Sequence, residues 1–214
     1  MDKLISYIFF IGSGVAFTLG LLIGGLLLGL TLGITLSVLR YNKVCAGLIN
    51  LVISIVRGTP LILQLSLVYF SAPSLIGIRL DILSAGILTF GFNSSAYIAE
   101  IVRAGIQSLP QGQFEAAKTL EIPSFYMWKD IILPQVIKNI LPAMVGEVIA
   151  LLKETALIAT IGGMDIMRTA QMLAAEQFTY FMPLCIAGFY YYALVLLIEF
   201  IGKKIEKGGA HAHN

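Results

Sequence analysis

Charged residues are scarce in this sequence. They make up 12% of its 214 residues, against roughly 25% in soluble globular proteins, and hydrophobic residues make up 58%. Residues 4–39, 58–78, 82–99 and 177–198 contain no Asp, Glu, Lys or Arg. A helix of about 20 apolar residues is long enough to cross the hydrocarbon core of a bilayer. The scarcity of charge therefore excludes a water-soluble domain and predicts an all-α integral membrane protein.

The residue types that support metal binding and covalent catalysis are also scarce. Cys45 and Cys185 lie 140 positions apart in apolar surroundings, so they predict neither a zinc site nor a disulfide scaffold, and we expect both to be buried. The only histidines, His211 and His213, stand at the carboxyl end, outside every predicted span. A net charge of +2 disfavours a nucleic-acid partner. We predict no catalytic residue, no metal site and no cofactor.

Apolar runs separated by polar breaks predict one transmembrane domain over residues 1–214. Pro60 disfavours helical geometry at Thr59, so an interfacial segment over 44–57 is expected to end there. The stretch 106–133 is too polar to span, since it contains two prolines and five charged residues. Five spans are predicted, over residues 10–39, 60–76, 82–105, 135–158 and 182–203.

Lysine and arginine are unevenly distributed between the two sides that these spans define. Ten of them lie in the flanks 38–57, 103–138 and 203–214, and three lie in the opposite flanks. Loops rich in Lys and Arg stay in the cytoplasm. The amino terminus is therefore expected outside the cell, and the 106–133 loop and the carboxyl terminus are expected in the cytoplasm.

The polar loop contains a spaced motif. Glu115-Ala116-Ala117 is followed by three residues, Glu121, nine residues and then Ile131-Ile132-Leu133-Pro134. This spacing resembles the EAA loop of the membrane subunits of ABC importers, in which E-A-A, three residues and Gly precede nine residues and I-x-L-P. The sequence departs from the family at Glu121, where Gly usually turns the chain between two short helices. Pro123 is expected to supply that break.

Three further segments are similar to the polar amino acid permease family, so the resemblance covers nearly the whole chain. They are Arg57–Leu61, Ala96–Arg103 and Leu152–Thr155. The resemblance implies a permease subunit of a bacterial plasma-membrane importer, paired with itself or a paralogue. Its implied partners are a cytoplasmic ATPase and an extracytoplasmic amino-acid-binding protein, besides the membrane lipid. The sequence contains no G-x-x-x-x-G-K-[ST] motif for nucleotide phosphates, which agrees with a separate ATPase.

The loop residues themselves favour a docking surface for that ATPase. Small alanines on a first short helix permit close approach of a partner, and a second short helix offers aromatic and aliphatic anchors. The alternative is an amphipathic loop lying on the lipid surface. The expected ATPase-coupling residues are Glu115, Ala116, Ala117 and Glu121, and the expected anchors are Phe125, Tyr126, Trp128 and Ile132.

Ionisable side chains inside the predicted spans are costly to bury in a bilayer and are usually functional or paired. Asn93 and Glu100 are seven residues apart, as are Glu147 and Glu154, so each pair shares one helix face. Asn93 and Glu147 fall near the membrane midplane, where transporter sites are usually found. We predict a substrate site formed by Asn93, Glu100, Glu147 and Glu154.

This site favours cationic amino acids as the cargo, although three carboxylates could also hold the ammonium group of any amino acid. A structural alternative exists for each of the three carboxylates. Glu100 and Arg103, three apart, can form an ion pair within one helix. The alternative function is a self-contained secondary transporter or channel for small polar solutes, which leaves the EAA spacing unexplained. An intramembrane enzyme is disfavoured because the spans contain no histidine and no convincing pair of nucleophile and base.

Overall fold

The structure is a computed structural model that describes residues 2–211. Helices account for nearly all of these residues, in agreement with the predicted all-α class. A π-helical turn over Leu67–Ser71 joins α4 to α5, another over Met127–Ile132 joins α8 to α9, and a 3₁₀ segment over Thr155–Ile161 follows α9. The α-helices are α1 Asp2–Gly12, α2 Val15–Tyr41, α3 Ala46–Gly58, α4 Leu61–Ser66, α5 Ala72–Ile76, α6 Ile82–Gln107, α7 Gln111–Thr119, α8 Ser124–Tyr126, α9 Leu133–Glu154, α10 Ile166–Glu176 and α11 Phe181–His211.

Helices α2 and α6 run parallel and touch along a stripe of glycines. A Cβ added at Gly29 would lie 3.1 Å from the Cβ of Ser94, and one added at Gly33 would lie 2.8 Å from the Cβ of Ile98. Small residues spaced in this way let two helix backbones approach closely in a membrane. Residue 29 lies beside residue 94 and residue 33 lies beside residue 98, so the two helices run in the same direction.

The chain between α2 and α6 must return across the membrane, because parallel neighbours need a crossing between them. Thr59 and Pro60 have extended backbone geometry, and the axis bends by 101° between α3 and the helix that follows it. The predicted break at Pro60 is confirmed. Helix α5 ends at Ile76, in agreement with the predicted end of the second span, and Gly77 follows it with a φ of +71°, which suits glycine.

Helix α9 runs antiparallel to α6 along most of its length. Gly105 lies against Ile140 at one end, and Gly86 lies against Ile158, just past α9, at the other. Three helices of the described chain are long and apolar enough to span, or four if the bent pair is one span, and α9 is not among them. Its side-by-side contacts with α6 nevertheless place it at the same depth. The predicted fourth span, over 135–158, is thus a helix too polar to meet the test of a span on its own, and it packs beside α6.

Asp81 and Asp165 begin two of the helices. Each side chain accepts a hydrogen bond from a backbone N–H three residues ahead, Ser84 in α6 at 3.1 Å and Arg168 in α10 at 2.8 Å. Hydrogen bonds from Ser84 hold the pKa of Asp81 below its ordinary value. Asp165 is fully buried and also accepts a hydrogen bond of 3.0 Å from Tyr191 on α11. This bond ties α10 to the last span.

The prediction that both cysteines are buried is wrong. Cys45 and Cys185 are exposed on the isolated chain. Cys45 lies in the turn before α3 with a φ of +50°, and Cys185 lies in the first turns of α11. An apolar neighbourhood in sequence does not distinguish the interior of the protein from a surface that faces lipid, since both favour the same residues.

Candidate functional site

A polar group joins α4, α6 and α9 in the middle of the helix bundle. Ser94 donates a hydrogen bond of 2.6 Å to Glu147 Oε1, and its neighbour Asn93 donates one of 3.1 Å to Gln64 Oε1. Asn93 is 4% exposed, so its amide is satisfied inside the protein. The two predicted residues Asn93 and Glu147 therefore belong to one layer of polar side chains at the same height in the bundle, which we call the polar level. They are linked through the adjacent positions 93 and 94 of α6.

Gln64 connects this level to the break in the chain before α4. Its amide nitrogen donates to Val56 O and to Thr59 Oγ1, each at 2.8 Å. These bonds satisfy backbone and side-chain acceptors at the end of α3, where the chain bends. The sequence prediction missed both Gln64 and Ser94. A signal was present, since Gln64 is the single amide side chain in the uncharged run 58–78.

Glu100 lies one heptad further along α6, among three arginines. Arg103 approaches its Oε2 at 2.8 Å from the same helix, Arg57 approaches at 3.7 Å from α3, and Arg40 at the end of α2 forms an ion pair with Oε1. The predicted pair of Glu100 with Arg103 is confirmed. Arg57 also lies 5.1 Å from the ring centre of Tyr97, a cation–π distance. Glu100 therefore holds three helices together near their ends.

Glu154 is half-buried at the end of α9, and its neighbour Lys153 is exposed. Within the part of the chain that the structure describes, neither Glu147 nor Glu154 has an ion-pair partner within 4.0 Å. The two carboxylates lie seven residues apart on one face of α9. Unpaired carboxylates are costly on a helix within a membrane, so a bound cationic group would stabilise both of them.

Residues 106–133, which the sequence predicts to dock the ATPase and which we call the coupling segment, contain α7 and turn at Glu121. The Ile122 N–H donates to Ala117 O and the Glu121 N–H donates to Lys118 O, both at 3.0 Å, which is the Schellman arrangement of a helix end. Glu121 has a φ of +54°. The residue that departs from the EAA spacing thus adopts the left-handed geometry that favours glycine. The turn expected at Pro123 is therefore made two residues earlier, and Pro123 is the residue before α8.

Three residues of the predicted docking surface, Ala117, Trp128 and Ile132, pack within the chain. Ala117 is 2% exposed, because its face of α7 packs against Met127 and Ile132 within the chain. Ile132 is fully buried, and Trp128 packs edge-to-face on Tyr41 at 4.9 Å between ring centres. These residues hold the coupling segment against the spans. The exposed residues of the segment include Glu115, Ala116, Leu120, Glu121, Phe125 and Tyr126.

The fold and this arrangement define a multi-pass membrane subunit with a polar level inside the bundle and an exposed helical loop at one end. Comparison with known proteins gives the family. Residues 25–208 match the family described as the binding-protein-dependent transport system inner membrane component, and the chain belongs to it.

Similar proteins include two named permeases. A protein of Rickettsia typhi named as a glutamine transport system permease is 48% identical over 195 residues, covering 90% of this chain and 85% of that protein. The arginine transport system permease ArtQ of Bacillus subtilis is 49% identical over 154 residues, covering 72% of this chain and 71% of ArtQ.

Solved structures are similar over nearly the whole length. The crystal structure of an amino acid ABC transporter with histidines matches with a TM-score of 0.88 and 33% identity, covering 96% of each chain. The MetNI methionine ABC transporter in an inward-facing conformation matches with a TM-score of 0.79 at 18% identity, covering 94% of this chain and 96% of that chain, which shows a shared fold.

Proposed function

We propose that this chain is the permease subunit of an ATP-driven importer for polar amino acids and that it prefers cationic ones. Membership of the transport family supports the permease role. The names of relatives at 48% and 49% identity, a glutamine permease and an arginine permease, support a polar amino acid as the cargo. The observation that carries the cationic preference is the pair Glu147 and Glu154 on one face of α9, without a cation at either carboxylate in the described chain.

The substrate site is proposed at Asn93, Glu147 and Glu154, with Glu100 at its inner end. A carboxylate away from bulk water attracts an ammonium or guanidinium group strongly. Glu147 is oriented by the Ser94 hydroxyl, and Glu154 lies about 10.5 Å along the same helix face, so the two can hold the two cationic ends of a basic amino acid. Glu100 is already held by arginines, so its part is to keep the inner end of the site closed.

A second permease chain is proposed to complete the site. The α9 face that contains the two carboxylates is only half-buried in one chain. Half-exposed carboxylates facing lipid would be costly, so a copy or a paralogue of this chain is expected to face them across the site.

The ATPase is proposed to bind the exposed surface of α7 and α8, with Glu115, Ala116 and Glu121 in contact and Ala117 supporting them from within. Phe125 and Tyr126, 68% and 54% exposed, supply the aromatic anchors. We propose that the amino terminus lies outside the cell and the carboxyl terminus in the cytoplasm, as the distribution of Lys and Arg favours. A binding protein delivers the amino acid, closure of the ATPases rocks the two permease halves, and this chain itself performs no covalent chemistry.

The cargo preference is tested by uptake into liposomes that contain the complete complex, with its ATPase and binding protein. Glu147→Gln, which is nearly isosteric, should weaken the apparent affinity for arginine by about 10- to 100-fold, since a charge-assisted contact is lost. The affinity for glutamine should change much less. Glu199→Gln, a carboxylate on α11 that lies 3.8 Å from Lys203, is the matched control. Equal effects on both amino acids would contradict the cationic preference.

A further inference from the structure

A basic cavity opens where α2, α6 and α7 meet, outside the proposed substrate site. Its volume is about 540 Å³, within the range of small-molecule sites. Arg40, Arg103 and Lys118 line it from three different helices, together with Tyr41 and Gln107. Cationic side chains that converge from separate helices favour an anionic ligand.

The positive charge of this cavity is not neutralised within the described residues. Arg40 and Arg103 share the single carboxylate of Glu100, which also has Arg57 at 3.7 Å. Lys118 has no carboxylate within 4.0 Å in the part of the chain that the structure describes. The side chain of Arg103 is 37% exposed. Its guanidinium nitrogens donate to Glu100 and Gln107, and each of the two terminal nitrogens keeps one further N–H for a ligand.

The cavity lies at the level where the apolar part of the bundle ends. Arg40 is the first charged residue of α2, and Val38 and Leu39, just before it, are exposed apolar side chains. Tyr41 packs edge-to-face on Trp128 at this level, and such aromatic residues are enriched at the interface between membrane and water. A ligand with an anionic head and an apolar tail fits both the basic cavity and the apolar surface beside it.

We propose that this cavity binds the phosphate group of an anionic phospholipid in the leaflet that faces the ATPase. Basic pockets between transmembrane helices on the cytoplasmic side bind such headgroups. The guanidinium groups of Arg40 and Arg103 and the ammonium of Lys118 hold the phosphate, and the acyl chains lie along the last turns of α2. A bound lipid then joins α7, the start of the coupling segment, to the ends of α2 and α6.

Trp128 provides a direct probe, because it is the only tryptophan in the chain and packs against Tyr41 of the cavity. The experiment titrates the full-length purified protein in detergent with phosphatidylglycerol brominated on its acyl chains and, separately, with brominated phosphatidylcholine. Bromine quenches tryptophan fluorescence at short range. We expect phosphatidylglycerol to quench Trp128 at lower concentration than phosphatidylcholine.

Lys118→Gln should weaken the apparent affinity for phosphatidylglycerol about fivefold, the effect of one basic residue at an anionic surface. Lys138→Gln, the same change on α9 at the same end of the molecule, is the control and should leave it unchanged. Equal quenching by the two lipids, or equal loss in both variants, would overturn the proposal. Competition by free glycerol phosphate as effective as by the lipid would also overturn it, since a soluble phosphate ligand would then be the occupant.

Discussion

Ser94 on α6 donates a hydrogen bond of 2.6 Å to Glu147 on α9, and this bond joins two antiparallel spans at the middle of the bundle. Ser94 is 1% exposed, so its hydroxyl is fixed by packing. Within residues 2–211, the second oxygen of this carboxylate has no hydrogen-bond donor. The geometry orients Glu147 while leaving it able to accept a ligand.

Ser94→Ala should therefore weaken transport of a cationic amino acid without abolishing it. The variant removes a hydrogen bond to a charged group, and we expect about a tenfold loss of apparent affinity. The matched control is Ser95→Ala, because the Ser95 hydroxyl donates to Phe92 O of its own helix at 2.6 Å. The measurement is concentration-dependent uptake by the reconstituted complex. Equal losses in the two variants would show that Ser94 does not orient Glu147.

The sequence predicted those parts of the site that depend on spacing along one helix. Glu100 and Arg103 are three residues apart, and their ion pair follows from helical geometry alone. The partners Arg40 and Arg57 could not be predicted, since they lie 60 and 43 positions from Glu100 and reach it only through the parallel packing of α2 and the bend after α3.

The sequence also could not predict which face of α7 is buried. Ala116 and Ala117 are adjacent small residues, and both suited an exposed docking helix. In the structure Ala117 packs against Met127 and Ala116 is exposed, because the tertiary packing of the segment buries one face of α7. The break at Pro60 needed no such context, because proline restricts the residue before it locally.

Close packing of α2 on α6 predicts a steric penalty at Gly33. A Cβ there would lie 2.8 Å from the Cβ of Ile98 and 2.9 Å from the backbone oxygen of Ser95, so the helices would have to separate. We expect Gly33→Ala to destabilise the protein by about 1–3 kcal/mol. The control is Gly188→Ala in α11, whose Cβ would meet nothing within 4 Å. Thermal unfolding in detergent compares the two, and an unchanged Tm in Gly33→Ala would contradict the packing.

The proposed orientation predicts opposite labelling of the two ends of the bundle. Gly112→Cys in α7 should react with an impermeant thiol reagent only after the cells are opened, and Ser74→Cys should react in intact cells. Gly112 is better suited than its neighbour Gln113, which exchanges hydrogen bonds of 2.8 and 3.0 Å with Gln135. Both native cysteines must first be replaced by serine because they are exposed. Labelling of Gly112→Cys from outside would reverse the orientation.

The proposed ATPase surface predicts that bulk at Ala116 uncouples the complex. Ala116→Arg places a long cation at an exposed position of α7, and it should abolish both co-purification of the ATPase and uptake while the permease still folds. Ala116→Ser keeps the small volume and should retain both. Normal association and uptake in Ala116→Arg would contradict this docking surface.

Glu121 predicts a gain in stability, because a non-glycine residue at a φ of +54° is strained. The left-handed region costs an L-residue with a Cβ about 1–2 kcal/mol relative to its preferred geometry. Glu121→Gly should relieve this cost and strengthen the turn after α7, whose bonds run from Ile122 N to Ala117 O and from Glu121 N to Lys118 O.

Glu121→Ala removes the same charge but keeps the Cβ, so it separates strain from electrostatics. The measurement is hydrogen exchange of the Ile122 amide. We expect its protection to rise at least about fivefold in Glu121→Gly, as about 1 kcal/mol of local stability would give, and to stay near the wild-type value in Glu121→Ala. An equal rise in both variants would mean that the carboxylate, rather than the backbone geometry, limits the stability of this turn.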